Sequence, residues 1–203
     1  MEVEFVTSCP DLRSLPEPDL PEFAFMGRSN CGKSSLINHF LDRTSVARIS
    51  GKPGKTRLLN YFRIDKRFYL VGLPGYGFAK VSKKQRALWK TMFSRYLALE
   101  DRAMAVFQLL DVRHQPTADD LEIAQWIRAA GHPSAVAITK IDKIGTNSRQ
   151  RRYTEIIDAL GMAADIPVFP TSAAKRVGRV EMLAWVDALL TANAEPVADT
   201  DGE

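Results

Sequence analysis

Residues Gly27-Arg28-Ser29-Asn30-Cys31-Gly32-Lys33-Ser34 constrain this chain more than any other stretch. They follow a short apolar run, Glu22-Phe23-Ala24-Phe25-Met26. They precede a segment in which Leu36, Ile37, Phe40 and Leu41 recur at helical spacing. Strand, glycine-rich turn and helix is the setting in which such a pattern has physical meaning. Glycine at positions 27 and 32 permits backbone angles that a β-carbon would forbid, so successive N–H groups can face inward as an anion cradle. The helix start adds its positive dipole end and unpaired donors. Lys33 would reach the outer phosphates of a nucleotide, and the Ser34 hydroxyl would ligate Mg²⁺. The loop predicts a phosphate site without naming the base.

With 203 residues and 45% apolar composition, the chain can bury one good core. One domain is expected over residues 1–191, including the N-terminal strand and connector of residues 1–21. Residues 192–203 read as a disordered acidic tail. No apolar run approaches the ~20 residues of a membrane span. Glu2, Glu4, Asp11, Glu17 and Asp19 resemble neither a secretory signal nor a transit peptide. Cys9 and Cys31 form no disulfide framework. The expectation is a cytoplasmic monomer without a membrane partner.

The net charge of +4 is unevenly spread. The tail holds Glu195, Asp199, Asp201 and Glu203 without Lys or Arg, so +4 less −4 leaves +8 on residues 1–191. Lys80, Lys83, Lys84, Arg86, Lys90 and Arg95 form one basic run. Arg149, Arg151 and Arg152 form a second, and Lys175, Arg176 and Arg179 a third. Such runs are either the footprint of a polyanion partner or merely solvated helix faces.

Strands are expected at Val3–Val6, Glu22–Met26, Leu58–Ile64, Phe68–Leu73, Met104–Leu110, Ser134–Thr139 and Ile166–Pro170. The Leu58 and Phe68 strands would be joined by a tight turn near Asp65-Lys66. Helices are expected after the glycine loop and at Ser82–Leu99, Thr117–Ala130, Ser148–Leu160 and Arg179–Thr191. The alternation implies an α/β fold of three layers, a mostly parallel sheet of about six strands with helices on both faces. Trp89, Trp126 and Trp185 fall on helices and read as core. Arg48 to Lys55 reads as a mobile loop.

Thr139-Lys140-Ile141-Asp142 follows an Ala/Val/Ile strand. An Asp at a strand end can accept from the ring N–H and the exocyclic amine of guanine, a donor pair that adenine lacks. The Lys140 stem can lie over the base. A backbone N–H of Thr171-Ser172-Ala173 could meet the guanine carbonyl. Together with the phosphate loop, these residues predict binding of GTP and GDP.

The glycine loop, Gly54-Lys55-Thr56, Leu73-Pro74-Gly75-Tyr76-Gly77 and Thr139–Asp142 stand in the order found in translation-factor-type GTPases. Gly27 to Asn38, Pro74 to Ser82 and Asp111 to Thr117 more closely resemble the EngB family (also called YsxC or YihA). These are bacterial P-loop GTPases tied to large ribosomal subunit assembly and to normal cell division and septation. The resemblance covers roughly residues 2–190. It implies a first switch over residues 54–58, with Arg57 and Leu58 following Thr56, which would ligate Mg²⁺ with Ser34 and sense the γ-phosphate. It also implies a second switch at Gly72, Leu73, Pro74 and Gly75, and a guanine reader at residues 139–142 supported by 171–173. Lys33, Thr56 and Asn30 become the catalytic candidates. Asn30 resembles the asparagine that holds a monovalent cation in related GTPases, which brings in K⁺. The large subunit or its precursor, through rRNA and ribosomal proteins, becomes the expected partner.

Two positions depart from the pattern. Tyr76 stands where Ras-like proteins carry a water-orienting glutamine. Gly72 replaces the aspartate of the family's Asp-Leu-Pro-Gly, whose carboxylate holds a Mg²⁺-bound water. Slow hydrolysis is expected, with Asp111 a candidate substitute for the lost carboxylate. The alternatives are a guanine-nucleotide-binding scaffold that hardly hydrolyses, and a P-loop ATPase or nucleotide kinase. Alkylation of Cys31 could block nucleotide. His39 and His132 read as structural or exposed, and His114 as part of a solvated loop.

Overall fold

A computed structural model of the chain describes residues 1–47, 58–77, 82–102, 104–161 and 166–194. The core of the fold is β2 (Glu22–Gly27) and β5 (Met104–Asp111), both buried along their whole length. Strands wetted on neither face need no apolar/polar alternation, and the continuous runs Phe-Ala-Phe-Met and Met-Ala-Val-Phe reflect that. Beside β5 lie β6 (Ser134–Thr139) and β7 (Val168–Pro170), all parallel. On the other side, β4 (Phe68–Gly72) runs parallel to β2. It is followed outward by antiparallel β3 (Leu59–Ile64) and β1 (Val3–Cys9), giving the order β1-β3-β4-β2-β5-β6-β7.

The sheet therefore has seven strands rather than about six, with an antiparallel edge. The hairpin that makes this edge turns at Asp65 and Lys66, both at positive φ, the twist that suits a two-residue β-turn. β1 extends to Cys9 across an irregularity between Phe5 and Thr7, which breaks the alternation and hides the strand's second half from a sequence reading.

Helices cover both faces. α1 (Lys33–Phe40) and α5 (Arg179–Ala194) pack on one, where Leu36, Ile37, Phe40, Met182 and Val186 meet Phe23, Phe25 and Phe107. On the other lie α2 (Lys83–Leu97), α3 (Ala118–Ala130) and α4 (Thr146–Leu160). Trp89, Phe93, Tyr96, Ile123 and Ile127 there bury Met26, Tyr61 and Val106, while Ile156 and Leu160 join Leu110 and Ile138. Trp126 and Trp185 pack against these clusters, as expected of core residues. Helix ends follow local chemistry: Thr117 and Asp120 form a reciprocal capping box at α3, and left-handed Gly131 and Gly161 end α3 and α4. α5 runs to Ala194, three residues into the stretch expected to be tail; residues 195–203 lie outside the described residues.

The chain passes from β2 towards β3 and β4 on one side, then to β5, β6 and β7 on the other. The carboxyl end of β2 is thus the switch point at which open α/β sheets bind ligands.

Candidate nucleotide-binding site

The loop after β2 is shaped by two glycines for different reasons. Gly32 has φ 103° and serves as the N-cap of α1, a left-handed conformation that a side chain would strain. Gly27 is not left-handed; a β-carbon there would lie 2.7 Å from the Cys31 sulfur and 2.9 Å from Leu109 Cβ. Its requirement is close packing on β5, which corrects the expectation that both glycines supply unusual angles. The second left-handed position is Asn30, at φ 65°, a residue type that tolerates it.

Lys33 opens α1, and its ammonium has no ion pair or hydrogen-bond partner among the described residues. Loss of water around it pulls its ammonium pKa down. A desolvated cation at a helix start, without a carboxylate partner, is suited to an anion. Ser34 sits beside it in the first turn. Cys31 faces inward and burial pushes its thiol up to about 11. It stays protonated at neutral pH, so ready alkylation is not expected.

The guanine-reader stretch reaches this loop by direct hydrogen bonds. Thr139 Oγ1 donates to the Cys31 carbonyl at 2.5 Å, and Lys140 Nζ donates to the Asn30 carbonyl at 2.5 Å. Lys140 is itself left-handed and caps a short 3₁₀ turn over Ile141–Lys143, in which Ile141 is buried and Asp142 is partly open. Ile141 N–H donates to the Thr171 carbonyl at 3.2 Å, joining the two reader segments. The Ser172 hydroxyl donates to Asp142 Oδ1 at 2.6 Å and holds that carboxyl below its ordinary pKa. Thr171 N–H is taken by Ile138 O and Ser172 N–H by Val177 O. Of the three candidate amides, Ala173 N–H is the uncommitted one among the described residues.

A cavity of about 630 Å³ opens between these groups. Gly32, Ser35 and Asn38 of the α1 side form one wall, and Thr139, Lys140, Asp142 and Ala173 the other. Its size suits a drug-sized ligand. His39, Asp42 and Arg176 line its far end. His39 is buried with its ring nitrogen 3.2 Å from Val177 O, and Arg176 pairs with Asp42 at 2.5 Å. These three contributors were not visible in the sequence, because α1 and the loop after β7 are more than 130 residues apart.

The second-switch residues lie on the opposite side of β2. Gly72 ends β4, and Leu73 N–H donates to Phe25 O at 3.1 Å, while Leu73 itself is buried. Pro74 follows, also buried. Gly75 passes so close to the phosphate loop that a β-carbon would sit 2.9 Å from Ser29 Cα. Ser29 N–H donates to Tyr76 O at 2.8 Å, and Arg28 forms a parallel bridge with Tyr76. The Tyr76 side chain turns away from the loop. It is buried, stacks edge-on to Phe93 and donates its hydroxyl to Asp120 Oδ1 at 2.7 Å. Burial and the Asp120 carboxylate push its pKa well above the ordinary phenol value. Leu58 lies just before β3; Gly54, Lys55, Thr56 and Arg57 lie outside the described residues.

Asp111 does not take the place of the missing carboxylate at position 72. Both residues can be located against Phe25, which pairs with Gly72 on one side and Phe107 on the other. Asp111 is therefore two strands, about 10 Å, to the side and four residues, about 13 Å, further along. Its carboxylate receives Arg113 Nε at 2.9 Å and Nη2 at 2.7 Å, with Lys140 Nζ 2.8 Å away. Burial raises its pKa, but these donors outweigh burial and bring it down to about 2. Asp111 is thereby a support for Lys140. His114 is exposed and His132 Nε2 lies 2.8 Å from Leu97 O.

A family model described as 50S ribosome-binding GTPase matches residues 22–140, more than half of the chain. The chain belongs to the EngB family of P-loop GTPases. The protein named probable GTP-binding protein EngB of Alkaliphilus metalliredigens is 41% identical over 194 residues, covering 96% of this chain and 93% of that protein. Its namesake in Halothermothrix orenii is 48% identical over 148 residues, 73% of this chain and 74% of that one. A crystal structure of a probable GTP-binding protein EngB shares the fold, with TM-score 0.63 and 24% identity over 84% of this chain and 99% of that one. The structure of Era with MgGDPNP and a segment of 16S ribosomal RNA aligns with TM-score 0.62 at 27% identity, over 90% of this chain and 60% of that one. EngB membership makes this chain a GTP-binding protein of the P-loop GTPase class. No helix among the described residues is long and apolar enough to cross a membrane.

Proposed function

We propose that the chain is a slow, Mg²⁺-dependent GTPase switch serving assembly of the large ribosomal subunit, with effects on cell division and septation. The observation that carries the nucleotide part is the direct joining of the reader to the phosphate loop by Thr139 and Lys140. In this reading residues 27–34 hold the phosphates, Asp142 accepts from guanine, and Ala173 N–H donates to its carbonyl. Lys33 neutralises charge on the outer phosphates. Mg²⁺ fits the donor set: a hydroxyl, nucleotide oxygens and waters satisfy a hard octahedral ion. The Ser34 hydroxyl makes no protein hydrogen bond among the described residues. Ser34 and Thr56 would hold the ion, which when bound spreads charge from the β- and γ-phosphates. Asn30 would help hold K⁺; equal turnover in sodium and potassium removes that part.

The ribosomal role is supported by the description of the matched family and by the excess of positive charge. The second reading, a guanine-nucleotide scaffold with little hydrolysis, is favoured by Gly72 and by Tyr76 being bound to Asp120. Competition of ATP against labelled GDP tests the nucleotide assignment: ATP should fail to displace it, and comparable affinities would reject the guanine reader. Retention of the GTP-loaded protein on large subunits tests the partner.

A further inference from the structure

Several cations of the chain are held by carboxylates, while others, such as Arg13 and Lys66, have none among the described residues. Arg63 meets Glu4 at 2.6 Å, Arg67 meets Asp187 at 3.1 Å, and Arg151 and Arg152 share Glu155 at 3.5 and 2.9 Å. Helix α2 gathers the unpaired kind on one element. Between Lys83 and Leu97 it contains five cations and no carboxylate. Lys90 turns to α3, where Glu122 and Asp119 receive it. Lys84, Arg86 and Arg95 are exposed and have no partner among the described residues.

Position along the helix sorts these groups. At 100° per residue, Lys84, Leu88, Thr91 and Arg95 fall on one stripe, opposite the buried Trp89, Phe93 and Tyr96. All four stripe residues are exposed, Leu88 at 57%. The stripe is about 16 Å long at 1.5 Å per residue, enough to follow several phosphates of one nucleic-acid strand. A protein-binding face would carry an apolar or aromatic centre with few charges; Leu88 is the one large apolar side chain here. Charge without counter-charge is the signature of a polyanion surface.

We propose that the Lys84–Leu88–Thr91–Arg95 face of α2 binds the phosphate backbone of RNA. The proposal rests on the ribosomal reading above for the source of that RNA. The face is also tied to the nucleotide site. Phe93, on the inner side of the same helix, packs against Tyr76 with ring centroids 6.2 Å apart, and Tyr76 O accepts from Ser29 N–H in the phosphate loop.

The test compares the full chain with the pair Lys84→Gln and Arg95→Gln, and with a control pair, Arg13→Gln and Lys66→Gln, which removes two exposed cations elsewhere. Binding to purified large subunits and to protein-free large-subunit rRNA is measured from 50 to 200 mM salt. GDP affinity serves as the check on folding. Loss of two phosphate contacts should weaken binding about tenfold at low salt and flatten the log–log salt slope by about 1.4 to 1.8. The control pair and GDP affinity should stay unchanged. If the wild type binds subunits and the α2 pair binds equally well with the same slope, the face is wrong while the ribosomal reading stands. If the α2 pair loses subunit binding but binds free rRNA normally, the face meets a ribosomal protein and the RNA proposal is overturned. If the wild type binds neither, both readings fall together.

Discussion

The two sides of the nucleotide site are built differently. At the carboxyl ends of β5, β6 and β7, each reader side chain is held by a named partner: Thr139 by Cys31 O, Lys140 by Asn30 O and Asp111, Asp142 by Ser172. At the end of β4, the position expected to carry a carboxylate has none, and the residue in the glutamine position has been drawn into the core by Asp120. Preorganised donors and acceptors raise selectivity because a wrong base leaves them unpaired. In the proposed reading, a switch side lacking its carboxylate and its water-orienting amide keeps binding and loses rate. That reading makes recognition and turnover separable.

The largest effect should come from the reader. If Asp142 reads guanine as proposed, Asp142→Ala removes two charge-assisted hydrogen bonds, each worth ~1.5–3 kcal/mol. GTP affinity should fall by about 100-fold or more, with loss of preference over ATP, read by competition binding. Unchanged preference would place base recognition elsewhere.

A smaller effect concerns the support beneath the reader. Asp111 has a folded-state pKa of about 2, below the ordinary value near 3.9. A depressed carboxyl pKa contributes stability that is fully present above the unfolded value and lost as pH falls through the folded one. Denaturant melts should therefore lose on the order of 2 kcal/mol between about pH 4 and pH 2 through this group. Asp111→Asn should remove that part of the slope, and an identical acid profile would contradict the assignment.

The smallest concerns Tyr76. Tyr76→Phe leaves Asp120 with the Thr117 amide at 2.7 Å and hydroxyl at 2.6 Å, so stability should drop by about 1.5 kcal/mol, the low end for a hydrogen bond to a charged group. GTP turnover should change less than about twofold, because the hydroxyl is not part of the hydrolytic machinery in this account. A tenfold loss of turnover would give the phenol a catalytic part.

The same contrast explains what could be read from the sequence. The strand–loop–helix setting of residues 27–34 was legible because its determinants are local: the glycines, Lys33 and Ser34 lie within a short stretch of chain. The position of Asp142 at a strand end was legible because it follows a plain buried strand. The Lys140–Asp111 pair and the Tyr76–Asp120 bond were not, since their partners are 29 and 44 residues apart and meet only once the sheet order is known. Without that order, Asp111 looked close enough to replace a carboxylate at position 72. Gly27 was legible as necessary but for the wrong reason, because its crowding by Leu109 comes from a strand far along the chain.

In the proposed reading recognition is intact and turnover is limited at position 72. The structure admits its repair: a β-carbon at Gly72 would lie 3.2 Å from Ile37 Cδ1, the movable end of a side chain. The decisive measurement is single-turnover GTP hydrolysis, with and without Mg²⁺, for the wild type and Gly72→Asp, alongside GDP affinity. Mg²⁺-dependent turnover should be about 10- to 100-fold faster in the variant, with GDP affinity in the absence of Mg²⁺ unchanged. Equal turnover and equal Mg²⁺ dependence in the two proteins would contradict that reading, and another group would then already fill the carboxylate's role.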